Sequence, residues 1–223
     1  MDSNSLCNDV NCRRSTYFAA LNGHLECLKY AHVSPGVSCV WHPNTTFIAA
    51  LNGRLECLRY AHENGCPWHP ETTYAAADVG RLECLRYAHK NGCPWHPKTT
   101  YIAAQNGHLE CLRYAHENGC GWHPMTTFGA AKNGHLECLR YAHENGCEWH
   151  TLTTYFAACR GDLEVLMYIY EHCGDVVTWE NTNLEVNFET FSKEIRDYID
   201  SVREDWKCGL NRPGMRTKAV NRN

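Results

Sequence analysis

The chain has 223 residues, of which 43% are hydrophobic and 21% are charged, and its formal net charge is -4 at pH 7. These values are typical of soluble globular proteins and argue against a disordered chain, a collagen-like fibre or a strongly basic nucleic-acid-binding protein. The unusual feature of the composition is the presence of fifteen cysteines and fourteen histidines. Such a content is typical of two classes of protein, the disulfide-linked scaffold and the zinc-binding protein.

The start of the chain lacks the basic segment, apolar run and small-residue cleavage site of a secretory signal. No apolar stretch approaches the roughly 18 to 20 residues that a membrane-spanning helix needs. We therefore expect an intracellular protein in the cytoplasm, with no membrane partner. Its cysteines should be mostly reduced thiols, because disulfides are rare in that compartment.

An internal repeat organises most of the chain. The motif Gly-(His/Arg)-Leu-Glu-Cys-Leu recurs, the last time in weaker form, with its glycine at Gly23, Gly53, Gly80, Gly107, Gly134 and Gly161. The first step is 30 residues and each later step is 27 residues. Self-similarity at a fixed period of this size is typical of solenoids, in which one small structural unit is stacked many times.

Each unit predicts two short helices, which the unit beginning at Thr99 illustrates. Thr99 is a suitable N-cap for a first helix that we predict over residues 101–105. Gly107 should end this helix, because glycine adopts the left-handed conformation at no steric cost. We predict a second helix from about residue 108 to residue 117, with one apolar and one charged face. Helices this short are unstable alone, so each unit must bury its apolar face against its neighbours.

The repeated order of residues resembles an ankyrin repeat. The unit reads Thr-Thr-aromatic-x-Ala-Ala-x-x-Gly-His-Leu-Glu-Cys-Leu-x-Tyr and ends in Glu-Asn-Gly-Cys, whereas the two helices of an ankyrin repeat open with Thr-Pro-Leu-His-x-Ala-Ala and Gly-His-Leu-Glu. An ankyrin repeat has 33 residues and this unit has 27. The missing residues lie between Gly119 and Thr126, where the family has its β-hairpin. This short variant with a tryptophan is similar to the ankyrin-like repeat proteins of giant DNA viruses of amoebae.

The period and the resemblance, which extends from residue 16 to about 181, divide the chain into four segments. We predict an N-terminal arm over residues 1–15 and an all-α helical-repeat solenoid over 16–181, with shortened hairpins. A C-terminal capping helix in 182–206 and a basic flexible tail over 207–223 follow. The solenoid should contain about six helix-turn-helix units, which start near residues 16, 45, 72, 99, 126 and 153. The capping helix is predicted from apolar residues at helical spacing, namely Phe191, Ile195, Tyr198, Ile199 and Val202.

The cysteines that recur in the second helices fit burial better than disulfide formation. Equivalent cysteines of adjacent units should lie about 8 to 10 Å apart, the distance between packed helices. A disulfide spans at most about 7 Å between Cα atoms. We therefore interpret these cysteines as a ladder of small buried hydrophobic residues, formed by Cys27, Cys57, Cys84, Cys111 and Cys138.

A metal site is the second interpretation of the cysteines and histidines. His62, Cys66 and His69 form a His-x3-Cys-x2-His run that recurs in the next three units, and thiolate and imidazole are ligands that zinc prefers. Each run offers three ligands, whereas a structural zinc site uses four. We therefore predict no metal and no cofactor, and keep a metal-binding protein as the alternative.

The sequence contains no motif of a known catalytic centre: no phosphate-binding glycine loop, no HExxH and no GxSxG. Every histidine or cysteine candidate occurs in near-identical copies, whereas an active site needs one differentiated constellation. We therefore expect a non-enzymatic protein without a small-molecule substrate.

Three positions vary between otherwise similar units: the residue before the threonine pair, the second residue after it, and the residue after the alanine pair. They comprise Asn44, Glu71, Lys98, Met125 and Leu152; then Ile48, Ala75, Ile102, Gly129 and Phe156; and then Leu51, Asp78, Gln105, Lys132 and Cys159. Positions that are the same in every unit serve the packing between units. Positions that differ between units are free to determine which partner is bound. The ankyrin resemblance implies that they line a concave face that binds a partner. Neutral drift at exposed sites is the competing interpretation.

Two charged features complete the sequence. Glu110 and Arg113 belong to a repeated stripe on the second helices, which we interpret as a solvated face whose charges pair with each other. The tail over 207–223 holds five basic residues and no acidic one, but it lacks the interleaved aromatic residues of a single-strand nucleic-acid binder. We do not expect nucleic-acid binding, although a nucleic-acid-associated role of the tail stays an alternative.

The sequence as a whole therefore predicts a monomeric protein-interaction scaffold with a protein partner. If the viral resemblance extends to the origin of the chain, that partner is a host protein.

Overall fold

The computed structural model describes residues 7–33, 40–173 and 190–207. Within these ranges the regular secondary structure is helical, with fourteen α-helices and no strand. This confirms the predicted all-α repeat architecture. The end of the predicted solenoid near residue 181, the first part of the capping segment and the basic tail from residue 208 lie outside the described residues. Among the described helices, none has the length and apolar character needed to cross a membrane.

Six pairs of helices follow the short helix α1 (Val10–Arg14), and one longer helix ends the array. In each pair a first helix of seven or eight residues precedes a second of nine or eleven. The pairs are α2 (Thr16–Asn22) with α3 (Leu25–Val33), α4 (Thr45–Leu51) with α5 (Leu55–Glu63), α6 (Thr72–Asp78) with α7 (Leu82–Lys90), α8 (Thr99–Gln105) with α9 (Leu109–Glu117), α10 (Thr126–Asn133) with α11 (Leu136–Glu144), and α12 (Thr153–Arg160) with α13 (Leu163–Cys173). We number these pairs as repeats one to six; the last helix is α14 (Lys193–Lys207).

The core of the solenoid is a continuous ladder of identical side chains from successive repeats. One leucine from each of the first five second helices is fully buried, and burial of such a side chain stabilises the fold by about 1.5 to 3 kcal/mol. The cysteine beside each leucine is 1% or 2% exposed, which confirms that the predicted cysteine ladder is part of the core. The leucines are Leu28, Leu58, Leu85, Leu112 and Leu139.

A buried threonine hydroxyl holds each shortened turn in place. The Thr100 hydroxyl donates to the backbone carbonyl of Gly121 at 3.2 Å and accepts from the backbone N–H of His123 at 3.0 Å. Thr46, Thr73 and Thr127 make the same pair of contacts in their repeats. Buried polar groups need hydrogen-bond partners. In the longer ankyrin hairpin, backbone groups would pair with each other, whereas here the threonine hydroxyl supplies the partner for one carbonyl and one N–H group of the turn.

The predicted role of Thr99 as an N-cap is wrong. Lys98 occupies the N-cap position without a side-chain bond, and Thr99 is the first residue of α8. The Thr99 hydroxyl donates to the carbonyl of His96 at 2.8 Å, while the His96 ring accepts from the backbone N–H of Lys98 at 3.2 Å through Nδ1. The His-Pro turn therefore supplies the acceptor at the start of the helix, and the threonine ties the turn to the helix.

A row of aromatic rings joins the second helices along the array. In the third repeat the imidazole of His89 stacks on Trp95 with 4.4 Å between ring centroids. The indole of Trp95 donates to the carbonyl of Asn118 in the next repeat at 3.1 Å. His89 Nδ1 lies 3.1 Å from the hydroxyl of Tyr114, also in the next repeat. The rings therefore couple neighbouring repeats, and hydrogen bonds of this kind contribute about 0.5 to 1.5 kcal/mol each.

The sequence predicted that the charges of the stripe pair with each other. Among the described residues, the structure shows such pairs in two repeats. These ion pairs are Lys29 with Glu26 at 2.7 Å and Arg86 with Glu83 at 4.0 Å. The guanidinium of Arg86 also lies 5.3 Å from the ring centroid of Tyr114 in the next repeat. Its equivalents Arg59, Arg113 and Arg140 lie over the next tyrosine in the same way. Contact with an aromatic face draws these arginines toward the neighbouring repeat.

Both ends of the array are covered by helices outside the repeat. At the carboxyl end, Phe191, Ile195 and Ile199 are buried in the common core. The hydroxyl of Tyr170 on α13 donates to the carbonyl of Val202 on α14 at 3.3 Å. The capping helix is therefore present. At the amino end α1 packs against α2 and α3, which the sequence had left as an arm without a helix.

Glycine substitutions should separate backbone strain from close packing. Gly107 has a φ of +74°, and an added Cβ would lie 2.6 Å from Nδ1 of His135. Gly119 has a φ of +87° with open space around it, whereas Gly121 has neither constraint. We expect Gly121→Ala to be neutral, Gly119→Ala to cost about 1 to 2 kcal/mol, and Gly107→Ala to cost more. Urea unfolding midpoints test this order, and equal midpoints for the three variants would contradict it.

Candidate functional site

Two of the three variable positions lie on the accessible surface of the turns and first helices. Before the threonine pair, Glu71 and Lys98 are exposed. After the alanine pair, Lys132 and Cys159 are exposed. The other members of these two positions are half-buried, namely Asn44, Leu51, Asp78, Gln105, Met125 and Leu152. These accessible residues directly precede a threonine pair or directly follow an alanine pair in each unit.

The remaining variable position is mostly interior, which corrects its assignment as a binding position. Ile48 is 6% exposed, Ile102 is 5% exposed, and Ala75 and Gly129 are also buried. A Cβ at Gly129 would lie 2.9 Å from Cε2 of Tyr101. The space that the neighbouring ring leaves therefore limits the size of the residue at this position. Variation here adjusts packing between first helices. Among its members, Phe156 alone is half-buried and keeps some accessible surface.

A lysine between aromatic rings marks the fifth and sixth repeats. The Lys132 ammonium lies 5.6 Å from the ring centroid of Phe128 and 5.4 Å from that of Phe156. The two rings contact each other edge to face, with their centroids 5.1 Å apart. Cation–π contacts of this kind contribute about 0.5 to 1 kcal/mol at accessible sites. They also favour a position of the ammonium beside the two rings.

The charge of the variable surface changes sign along the array. The third repeat contributes the carboxylates of Glu71 and Asp78, whereas the fourth and fifth contribute the ammonium groups of Lys98 and Lys132. The side-chain amide of Asn106 donates to Oδ1 of Asp78 at 2.8 Å, so this carboxylate is anchored to the following repeat. Glu71 is therefore the freer acidic group of the surface.

Comparison with solved structures identifies the fold on which this surface lies. The chain is similar to the ankyrin repeat domain of human ASB11, with a TM-score of 0.58 and 20% sequence identity. The similarity covers 68% of this chain and 80% of that one. The chain has the ankyrin-repeat fold. No protein-family model and no curated protein sequence matches it.

Within the ankyrin solenoid, the side chains of the His-x3-Cys-x2-His runs make structural contacts. In one run, His89 stacks on Trp95, and Nδ1 of His96 accepts from the backbone of Lys98. Cys93 is 2% exposed and its thiol donates to the carbonyl of Pro94 at 3.8 Å. The three side chains have separate partners, and the described part of the chain does not gather any such run into a group of metal ligands.

One group of possible metal ligands does occur among the described residues, at the amino end of the array. Cys7, Cys12, His24 and Cys27 place their ligand atoms within 4.8 Å of one another. The sequence interpretation missed this group, because His24 and Cys27 look like ordinary copies of repeat positions. The spacing Cys7-x4-Cys12 before His24-x2-Cys27 is the signal that could have revealed it.

The cysteines of the interior repeats lack the properties of reactive thiols. Burial raises the pKa of Cys57 to about 11 and that of Cys66 to about 12, so both remain protonated at neutral pH. Burial also raises the pKa of Cys138 to about 12. A catalytic cysteine needs a lowered pKa and an adjacent base. These thiols therefore serve packing.

The raised pKa of a ladder cysteine makes stability sensitive to alkaline pH. Burial raises the pKa of Cys111 to about 12 from an ordinary value of 9.0, so the unfolded chain loses this proton first. The stabilisation from the neutral thiol is complete below about pH 9 and is lost between about pH 9 and pH 12. We expect Cys111→Ala to lose less stability than the wild type on alkalinisation, measured as urea midpoints at about pH 8 and pH 10.

The exposed Cys159 provides the matched control for this measurement, because Cys159→Ala removes a thiol that the solenoid does not bury. Identical pH dependence of the wild type and Cys111→Ala would contradict the account of the ladder thiols.

Proposed function

We propose that the protein is a non-enzymatic, monomeric scaffold that binds a folded protein partner through the turns and first helices of its ankyrin solenoid. In the ankyrin family these elements line the concave face. The fold supports this class of function, because stacked repeats create an extended binding surface. The buried, unreactive thiols of the ladder agree with a non-enzymatic role.

The observation that carries the proposal is the contrast between neighbouring positions of the same helices. From repeat two to repeat five the threonine and alanine pairs are buried and recur unchanged, whereas the accessible residues beside them differ in charge and size. A surface that served only solubility would need no such sequence of acidic, basic and apolar residues. Drift remains the competing explanation, and it predicts that exchanging these side chains has no effect on binding.

The chemistry of the surface indicates the kind of partner. Lys132 is held against the rings of Phe128 and Phe156, and the half-buried side chains of Met125 and Leu152 occupy the preceding turns of the fifth and sixth repeats. Aromatic and cationic groups that are fixed before binding make strong interaction sites. We therefore expect the partner to present a carboxylate next to an apolar side chain to these two repeats.

Charge reversal on this surface tests the proposal. We expect the double change Lys98→Glu and Lys132→Glu to weaken partner binding at least about tenfold, because it repels the partner carboxylate and a central contact contributes more than about 1.4 kcal/mol. The matched control is Lys90→Glu, an exposed lysine at the end of the second helix α7. The measurement is affinity capture by the full chain with mass spectrometry, followed by titration of each captured protein against the three chains.

Two outcomes of the titration decide between the proposal and drift. Loss of the same partner with the double variant, and its retention with Lys90→Glu, would support a binding face on the first helices. Equal binding by all three chains would refute it, as would a partner lost only when residues 207–223 are removed.

The same capture experiment tests the finer expectations about origin and location. The resemblance of the 27-residue unit to giant-virus repeat proteins leads us to propose a host protein as partner and the cytoplasm as the place of action. Capture of the specific partner from the cytoplasm of an amoebal host would agree with this, and a partner from an extracytoplasmic compartment would oppose it.

A further inference from the structure

The amino end of the solenoid holds a cluster that the proposed binding surface does not use. Cys7 and Cys12 come from the arm and α1, while His24 and Cys27 come from the start of the second helix of repeat one. Sγ of Cys7 lies 3.1 Å from Sγ of Cys27, and Sγ of Cys12 lies 3.2 Å from Nδ1 of His24. Four ligand atoms of the types that zinc prefers therefore converge on one point.

The first repeat uses two of its repeated positions differently from the interior repeats. At the position of His24, later repeats carry Arg54, Arg81 and His108, which pack against the glycine of the repeat before them. The described element before repeat one is α1, and the His24 ring lies against Cys12 of that helix instead. Cys27 keeps its place in the ladder but meets Cys7 of the arm.

The dimensions of the cluster match a tetrahedral zinc site. Zinc–sulfur and zinc–nitrogen bonds of about 2.3 and 2.0 Å give tetrahedral edges of about 3.8 Å between sulfur atoms and about 3.6 Å between sulfur and nitrogen. The separations in the cluster range from 3.1 Å to at most 4.8 Å. The distance between Cys7 and Cys27 sulfur atoms far exceeds the roughly 2.05 Å of a disulfide bond. Small side-chain shifts would therefore complete the tetrahedron.

The surroundings of the cluster also suit thiolate ligands. The backbone N–H of Cys7 donates to Sγ of Cys27 at 3.3 Å, and such hydrogen bonds hold and tune metal-bound sulfur. Cys12 is 0% exposed and Cys27 is 1% exposed, so these two sulfur atoms are shielded from solvent, whereas Cys7 is half-buried and His24 is exposed. Arg13 and Arg14 follow Cys12 directly in the last turn of α1.

We propose that Cys7, Cys12, His24 and Cys27 bind one Zn²⁺ ion as a structural site that closes the amino end of the solenoid. On binding, the three cysteines release three protons to solvent and bond as thiolates, while neutral His24 bonds through the lone pair of Nδ1. The ion fixes the arm and α1 to repeat one, in the place that a preceding repeat would fill. Terminal repeats of a solenoid need such a cap, because one face lacks a neighbour.

Metal content is the direct test, made on the full chain purified without a histidine tag. We expect one zinc ion per chain by elemental analysis. Cobalt substitution should give the visible bands of a tetrahedral ion and thiolate charge-transfer absorption. A chelator should lower the melting temperature of the wild type, because removal of an ion that binds only the folded state reduces its stability.

One metal ligand can be replaced by a residue that other repeats carry at the same position, so that the packing between repeats is preserved. His24→Arg introduces the residue that repeats two and three carry at this position, so the helix pair should still form. Changes outside the first ligand shell weaken metal sites about 10 to 100-fold, and we expect loss of a ligand to exceed that range. His24→Arg and Cys7→Ser should therefore lose zinc and the effect of the chelator. Circular dichroism should show retained helix content.

The matched control is Cys57→Ala, which changes the same ladder position in the second repeat. It should retain one zinc ion per chain. The proposal is overturned if the folded wild type contains no zinc when refolded with the ion, or if His24→Arg and Cys57→Ala retain equal amounts. A disulfide between Cys7 and Cys27, detected by mass spectrometry of the cytoplasmic protein after alkylation, would also overturn it. Failure of the charge-reversal experiment would leave this site unaffected.

Discussion

The whole structure depends on one constraint: a pair of helices this short cannot bury its apolar faces without a neighbour. The first and second helices of repeat four have seven and nine residues, and isolated helices of that length are unstable in water. Stability must therefore come from contacts between repeats. The leucine and cysteine ladder supplies the apolar part of these contacts, and the row of histidine, tryptophan and tyrosine rings supplies the polar part.

The same constraint explains where the repeat can vary and how its ends are built. Side chains that form the ladder or hold the turns are copied in every unit, as Leu112 and Thr100 are, whereas accessible side chains on the turns and first helices change. At each end of the array the described neighbour is a helix outside the repeat. Helix α14 covers the carboxyl end with an apolar face, while α1 and its cysteine cluster cover the amino end.

Much of this architecture could be predicted from the sequence, because periodicity and glycine stops are local signals. The helix pairs, the buried cysteine ladder and the capping helix follow from them. The role of Thr99 could not be predicted, because a threonine that begins a helix looks like a cap until the His96 turn is seen. Burial of Gly129 likewise depends on the Tyr101 ring, which lies one repeat earlier and is invisible in a comparison of aligned units.

The amino-terminal cluster shows a second limit of sequence periodicity. His24 and Cys27 match the repeat so well that their special environment is hidden, and helix α1 carries no repeat signal. The difference arises from a missing neighbour, which is a property of position in the array. Variation between the repeats likewise has two causes. At the mostly buried position, the second after the threonine pair, residue size is adjusted to the neighbouring helix, whereas the two accessible positions carry the proposed binding specificity.

Removal of one complete repeat tests the central claim most directly. Deletion of residues 99–125 joins Lys98 to Thr126 and gives the new junction partners at equivalent positions of the repeat. If stability resides in contacts between neighbours, the shorter chain folds with the same helix content per residue, and both its urea midpoint and its m-value decrease. Failure of this chain to fold, while the full chain folds, would contradict the account and indicate one indivisible core.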